Sequence, residues 1–128
     1  MKQISTVIVS MLAGALVGGG AISVLHAQAK PPVYQVTLQD VSNAEAFNTE
    51  FVPVARATII KDGGKPVASG APIALDGTAP AKRIVINQWE SVEKAKAWYN
   101  SAEYQKARET GNKYAKFTIF LVEGVPAK

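Results

Sequence analysis

From Val33 to Gln39 apolar and polar side chains alternate: Tyr34, Val36 and Leu38 fall on one side, and Gln35, Thr37 and Gln39 on the other. A period of two predicts a strand, here with one clearly apolar face. Ser42-Asn43-Ala44-Glu45 has the spacing of a capping box, in which the serine hydroxyl and the glutamate carboxylate satisfy free amides at a helix start. The period then changes. Ala44, Phe47, Phe51, Ala55 and Ile59 form one stripe of a helix. Pro53 inside that stripe has no amide to donate and crowds the preceding turn, so the helix is expected to kink or split near Phe51-Val52. Gly63-Gly64 ends it, with positive backbone φ expected at the stop.

A second strand is predicted from about Lys65 to Ala71 and a third from Arg83 to Trp89. The turn-rich loop Asp76 to Ala81 between them makes the pair a hairpin. Ser91 supplies the next N-cap, Glu93 suits the positive end of the helix dipole, and Val92, Ala95, Trp98 and Ala102 recur at helical spacing. Asn100-Ser101 interrupts this helix. It is expected to resume from Ala102 to about Tyr114, weakened at Gly111. The last strand runs from Phe117 to Glu123.

The order β-α-β-β-α-β predicts an α+β fold, a ferredoxin-like split βαβ sandwich with two helices over one face of a four-stranded antiparallel sheet. Strand three separates Ile84 and Ile86 from Val85 and Trp89, and strand four separates Ile119 and Leu121 from Phe120 and Val122. Both sheet faces are therefore partly apolar, and the helices of one chain cover only one. A homodimer that pairs two sheets across a twofold axis and encloses a barrel-like cavity is the expected assembly.

Everything before the first strand has a different character. Met1 to Ala29 has a cationic start at Lys2, an uncharged apolar run from Ile4 to Leu25 and small residues at Ala27-Gln28-Ala29, the three parts of a secretory signal peptide. Residues 1–29 are read as the signal segment and 30–126 as the domain, with Lys30-Pro31-Pro32 as the boundary. The expected destination is exported, periplasmic or secreted. The apolar run is also long enough to span a bilayer, so a membrane connection exists only through this segment if it is not cleaved.

The chain of 128 residues has no cysteine, which excludes a lipidated cysteine anchor, disulfides, thiolate nucleophiles and cysteine-held metals. Its one histidine, His26, lies in the leader, so the domain lacks the residues of serine-histidine and cysteine-histidine systems and of the usual imidazole-held zinc or iron sites. No metal and no cofactor is expected. The formal charge of +4 is mild and its basic residues are scattered, so no nucleic-acid partner is expected. Lys61-Asp62-Gly63-Gly64-Lys65 lacks the phosphate-loop pattern, and Glu90 and Glu93 bracket a helix cap rather than forming an acid-base pair.

Several stretches together, from Tyr34 through Gly63-Gly64, Gly70, Arg83-Ile84-Val85-Ile86 and Trp89-Glu90-Ser91 to Val122-Glu123-Gly124, resemble domain-of-unknown-function family 1330. The run Ala97-Trp98-Tyr99-Asn100-Ser101-Ala102-Glu103-Tyr104-Gln105 is the most specific part. The resemblance implies a fold of the dimeric α/β-barrel group and leaves activity open. Two positions depart from what the resemblance leads one to expect: Gln88 stands where many relatives are expected to carry a carboxylate, and Gly111 stands near an expected arginine. An acid-base role at either is therefore not carried over.

Strand alternation puts Arg83, Val85, Asn87 and Trp89 on one side of strand three. If that side faces the barrel cavity, Arg83, Asn87, Gln35 and Thr37 supply one cation, two amides and a hydroxyl, with Trp89 and Phe120 as apolar walls. Together with Tyr34 these are the candidate ligand-binding residues, and they suit a small, partly apolar, anionic molecule. The leading functional expectation is an exported homodimer that binds such a ligand without catalysis. A cofactor-independent enzyme of oxygenase or isomerase type, with Tyr34 and Arg83 orienting or exchanging protons, and a purely structural dimer are the alternatives.

Overall fold

Residues 30–126 are described by the computed structural model, so the expected signal segment, residues 1–29, lies outside the described residues. The strands are β1 (Val33–Val41), β2 (Lys65–Gly70), β3 (Arg83–Trp89) and β4 (Ala115–Glu123). Between β1 and β2 lie α1 (Ala44–Ala46), a π-helical segment (Phe47–Phe51) and α2 (Val52–Lys61). Between β3 and β4 lie α3 (Val92–Tyr99) and α4 (Ala102–Gly111).

The strands form one sheet in the order β2-β3-β1-β4, every neighbouring pair antiparallel. Each helical connection joins two strands that run the same way with a third inserted between them. This is the split βαβ arrangement of a ferredoxin-like α+β fold.

The expected kink is present, and its form is specific. Before Pro53 the backbone widens into the π segment, and the Val52 amide donates to the Phe47 carbonyl, one residue further back than in an α-helix. Pro53 then sits in the first turn of α2, where its missing N–H is not needed. Phe47 and Phe51 are buried with their rings 5.0 Å apart, and Ala55 and Ile59 continue the stripe. Ala44 is exposed and lies off it.

The helix cap differs from the expected one. Asn43, not Ser42, accepts from the Ala46 amide at 3.1 Å. Ser42 is engaged elsewhere: its amide and hydroxyl both donate to the Tyr114 carbonyl, at 2.7 and 3.0 Å, tying the end of β1 to the entry of β4. Such a long-range claim on a side chain outweighs its local capping preference.

Ser91 and Ser101 cap α3 and α4 by accepting from the amides of Lys94 and Tyr104. Gly63 ends α2 with φ +102°, a conformation that favours glycine. Gly64 serves a different purpose: a Cβ there would lie 2.7 Å from the Trp89 ring, so its absence lets the chain pass against the indole.

The register assigns each strand residue to a face. Gln35 lies between Asn87 and Leu121, and its neighbour Val36 lies between Ile86 and Phe120. The first of these faces carries the helices and the core, where Trp89, Trp98 and Tyr104 pack with Phe47, Phe51 and Ala107. The opposite face carries Tyr34, Val36, Leu38, Ile84, Ile86, Phe120 and Val122, and among the described residues no helix covers it. The polar row of β1, Gln35, Thr37 and Gln39, is thus the buried one, each 6% exposed or less, and the apolar row faces outward.

Candidate functional site

The buried polar row is organised around one indole. Trp89 is 1% exposed, and its Nε1–H donates to Gln35 Oε1 at 3.0 Å. An indole nitrogen only donates, so this bond settles which end of the Gln35 amide is oxygen. The other end, Nε2, donates to Thr37 Oγ1 at 2.7 Å. Asn87, directly across the ladder from Gln35, must then turn its Nδ2 toward the same oxygen, at 3.3 Å. Its own Oδ1 is left buried and without a partner.

Two further buried polar atoms are unpartnered: Gln39 Oε1 and Arg83 Nε. Gln39 and Arg83 are themselves a cross-strand pair, two steps along the ladder from Thr37 and Val85 and four from Gln35 and Asn87 on β1 and β3. The Arg83 guanidinium is held at its outer edge, where Nη2 donates to Ser69 Oγ of β2 at 2.7 Å.

All three atoms belong to residues that line one cavity of about 300 Å³ between sheet and helices. Phe51, Ala55 and Ile59 of the first helical connection close it from above, with Trp98 and Tyr104 from the second, and Val85 and Phe117 form its apolar floor. Its rim is the edge strand β2, where an irregularity between Pro66 and Ala68 breaks the ladder with β3. Arg56, exposed on α2, lines the cavity as Arg83 does, and among the described residues no carboxylate lines it.

The aromatic wall is held by hydrogen bonds as well as packing. Trp98 Nε1 donates to Thr58 Oγ1 at 2.9 Å, and that hydroxyl donates to the Ala55 carbonyl at 2.7 Å. Tyr104 stacks at 4.0 Å from the Trp98 ring. Burial pushes the Tyr104 phenol above its ordinary pKa, and the nearby Arg108, with Nη1 3.4 Å from the hydroxyl, opposes this less strongly. At neutral pH Tyr104 is therefore a neutral hydrogen-bond donor rather than a phenolate base.

Of the seven residues singled out from the sequence, the fold brings five together. Gln35, Thr37, Arg83 and Asn87 line the cavity, and Trp89 holds Gln35 from behind. Tyr34 and Phe120 are on the other face, so the seven do not form one site, and Tyr34 cannot act with Arg83. The location also differs from the expected one. The cavity lies under the helices of a single chain, not in a barrel between two sheets, because the polar row of β1 faces inward.

Gln39 was within reach of sequence reasoning, since it continues the period of Gln35 and Thr37. The helix-borne wall, Phe51, Ala55, Trp98 and Tyr104, carried only a packing signal. Gln88 shares the open face with Ile84 and Ile86 and has no place in the cavity. Gly111 lies where a Cβ would meet the Phe51 ring at 2.6 Å, so it is the point at which α4 closes on the first helical connection. Among the described residues no group of three or more metal-ligating side chains occurs, and no helix is long and apolar enough to cross a membrane.

The family model described as Domain of unknown function (DUF1330) matches residues 32–125. No curated protein matches the sequence. Among solved structures, the chain is similar to a protein of unknown function from Rhodopseudomonas palustris, with TM-score 0.62 and 12% identity over 83% of this chain and 92% of that one. It is also similar to SnoaB, a cofactor-independent oxygenase from Streptomyces nogalater, with TM-score 0.58 and 12% identity over 76% of this chain and 96% of that one. A third is a dimeric protein of unknown function and ferredoxin-like fold from Bacteroides fragilis, with TM-score 0.54 and 12% identity over 73% and 96% of the two chains. At these identities the likeness establishes the ferredoxin-like fold.

Proposed function

The chain belongs to the family described as Domain of unknown function (DUF1330), and from that premise we propose that it is an exported homodimer in which each protomer holds a small, partly apolar ligand without transforming it. The observation that carries the reading is the set of three unpartnered buried polar atoms, Gln39 Oε1, Arg83 Nε and Asn87 Oδ1, around an otherwise apolar cavity. A buried polar atom without a partner costs about 1–3 kcal/mol. Three on one cavity wall are accounted for when a ligand supplies the missing partners. Among the described residues the cavity wall contributes no histidine, cysteine or carboxylate, which favours holding over turnover.

The homodimer is supported by the bare apolar sheet face, in which Phe120 and Val122 are 43% and 49% exposed, and by the dimeric description of the Bacteroides fragilis neighbour. Export rests on the composition of Met1 to Ala29, with residues 30–126 as the released domain.

The test is a thermal-shift and tryptophan-fluorescence screen of the protein against a broad set of small metabolites, repeated on Ala55→Leu, which fills the cavity from its helix side. A response in the parent protein that Ala55→Leu abolishes supports the reading. No response in either protein overturns it, and turnover of a bound compound replaces it with the enzymatic reading that the oxygenase neighbour suggests. An intact mass retaining residues 1–29 after expression in an exporting host would make the domain membrane-tethered instead of released.

A further inference from the structure

The cavity has two poles. At one end the cross-strand pair Gln39 and Arg83 leaves an acceptor and a cationic donor free; at the other, Asn87 leaves an acceptor free. Between them lie Val85 and the Thr37 hydroxyl, whose oxygen accepts from Gln35. Resting on the ligand-binding reading above, we propose that the ligand class is a small single-ring or similarly compact carboxylate that carries a hydrogen-bond donor, such as a hydroxyl, at the end away from the carboxylate.

Charge selects the first group. Arg83 and Arg56 are the charged side chains lining the cavity, with no carboxylate to neutralise them. The Arg83 fork is oriented in advance by Ser69, so its free Nε–H is presented at a fixed angle, which suits a planar carboxylate. Gln39 stands across the strand pair with no hydrogen bond fixing its Oε1, so its terminal amide is free to turn Nε2 toward the same carboxylate, which an unturned Oε1 would repel.

The hydrogen-bond chain selects the second group. The Asn87 oxygen is locked outward by the Trp89–Gln35–Asn87 relay, so Asn87 cannot turn its amide to greet an acceptor without breaking that relay. It therefore demands a donor. The cavity, about 300 Å³, has room for one ring with two small substituents.

Calorimetric and fluorescence titration of the full chain with 4-hydroxybenzoate, its methyl ester and benzoate tests this. The acid is expected to bind about 10- to 100-fold more tightly than the ester, with benzoate between them. Arg83→Gln, checked for folding by near-ultraviolet circular dichroism, is expected to erase the preference for acid over ester.

If the ester equals the acid in the parent protein, the carboxylate assignment is wrong while the cavity remains a binding site. Equal binding of benzoate and 4-hydroxybenzoate overturns the distal donor. If none of the three binds but another metabolite does, and Ala55→Leu abolishes that response, the ligand class alone is overturned. Failure of every compound in both proteins overturns the binding reading itself.

Discussion

Along β1 the two faces of the sheet reverse the usual arrangement of inside and outside. The helix-covered face of β1 is lined by Gln35, Thr37 and Gln39, all buried, while its uncovered face presents Tyr34, Val36 and Leu38. In an ordinary two-layer domain the apolar row would pack under the helices. Here the helices pack chiefly on the ends of the sheet around Trp89, Phe117 and Val33, and the polar row between is used to build a cavity. A polar inner row and an apolar outer row on one strand are each costly alone, and the proposed ligand and the proposed second copy would offset the two costs.

The strongest test of the inner face is Trp98→Ala. Trp98 is 2% exposed, contacts both Trp89 and Tyr104, and bonds to Thr58, so its loss is expected to lower unfolding free energy by about 3–5 kcal/mol in denaturant titration. A loss below about 1 kcal/mol would mean that the helices do not depend on this face.

The outer face is tested by Ile86→Lys. A charge at the centre of the bare sheet is expected to weaken self-association by about 100-fold or more in sedimentation while leaving circular dichroism unchanged. If the parent protein is already a monomer at micromolar concentration, the apolar outer row has another role.

A subtler break is Gln35→Met, which keeps the volume but removes the acceptor of Trp89 and Asn87. It is expected to cost about 1–3 kcal/mol, because the indole N–H is left buried and unpaired. An unchanged midpoint would show that the relay is dispensable for stability.

The smallest effect concerns alkaline pH. The folded-state pKa of Tyr104 is raised by burial, so the unfolded chain gives up this proton first. The contribution of Tyr104 is complete below the ordinary tyrosine value near 10 and is lost as pH rises through the folded value. Tyr104→Phe should therefore flatten part of the fall in melting temperature above about pH 10. An identical alkaline slope in the variant would assign that fall to other groups, among them Tyr114, whose pKa its bond to Glu50 also raises.

Local signals made the element order legible. The Ser91 cap, the break at Asn100-Ser101 and the full extent of β3 from Arg83 to Trp89 are all decided by neighbours within a few residues, and the structure has them at the expected positions. The cap at Ser42 misled because Tyr114 claims that side chain from the far end of the domain. The site was partly legible for the same reason. Period two grouped Arg83 with Asn87 and Gln35 with Thr37 correctly, but alternation alone does not reveal which face the helices will choose. Assigning the pocket to the space between two chains followed from expecting the apolar row to face the core. Tyr34 lies on the face opposite Gln35 and Thr37 by that same alternation, and the side of β4 that carries Phe120 is fixed only by its register with Val36.

The sheet register also constrains how the chain acquires its shape. β1 precedes the other described strands and is a central one, yet one of its two neighbours is the last of them: Val33 lies opposite Glu123 and Val41 opposite Ala115. The ladder with the largest share of the sheet thus closes only after the C-terminal strand has emerged, and such non-local pairing is intrinsically slow. A growing chain therefore cannot close this sheet before β4 is available to pair with β1.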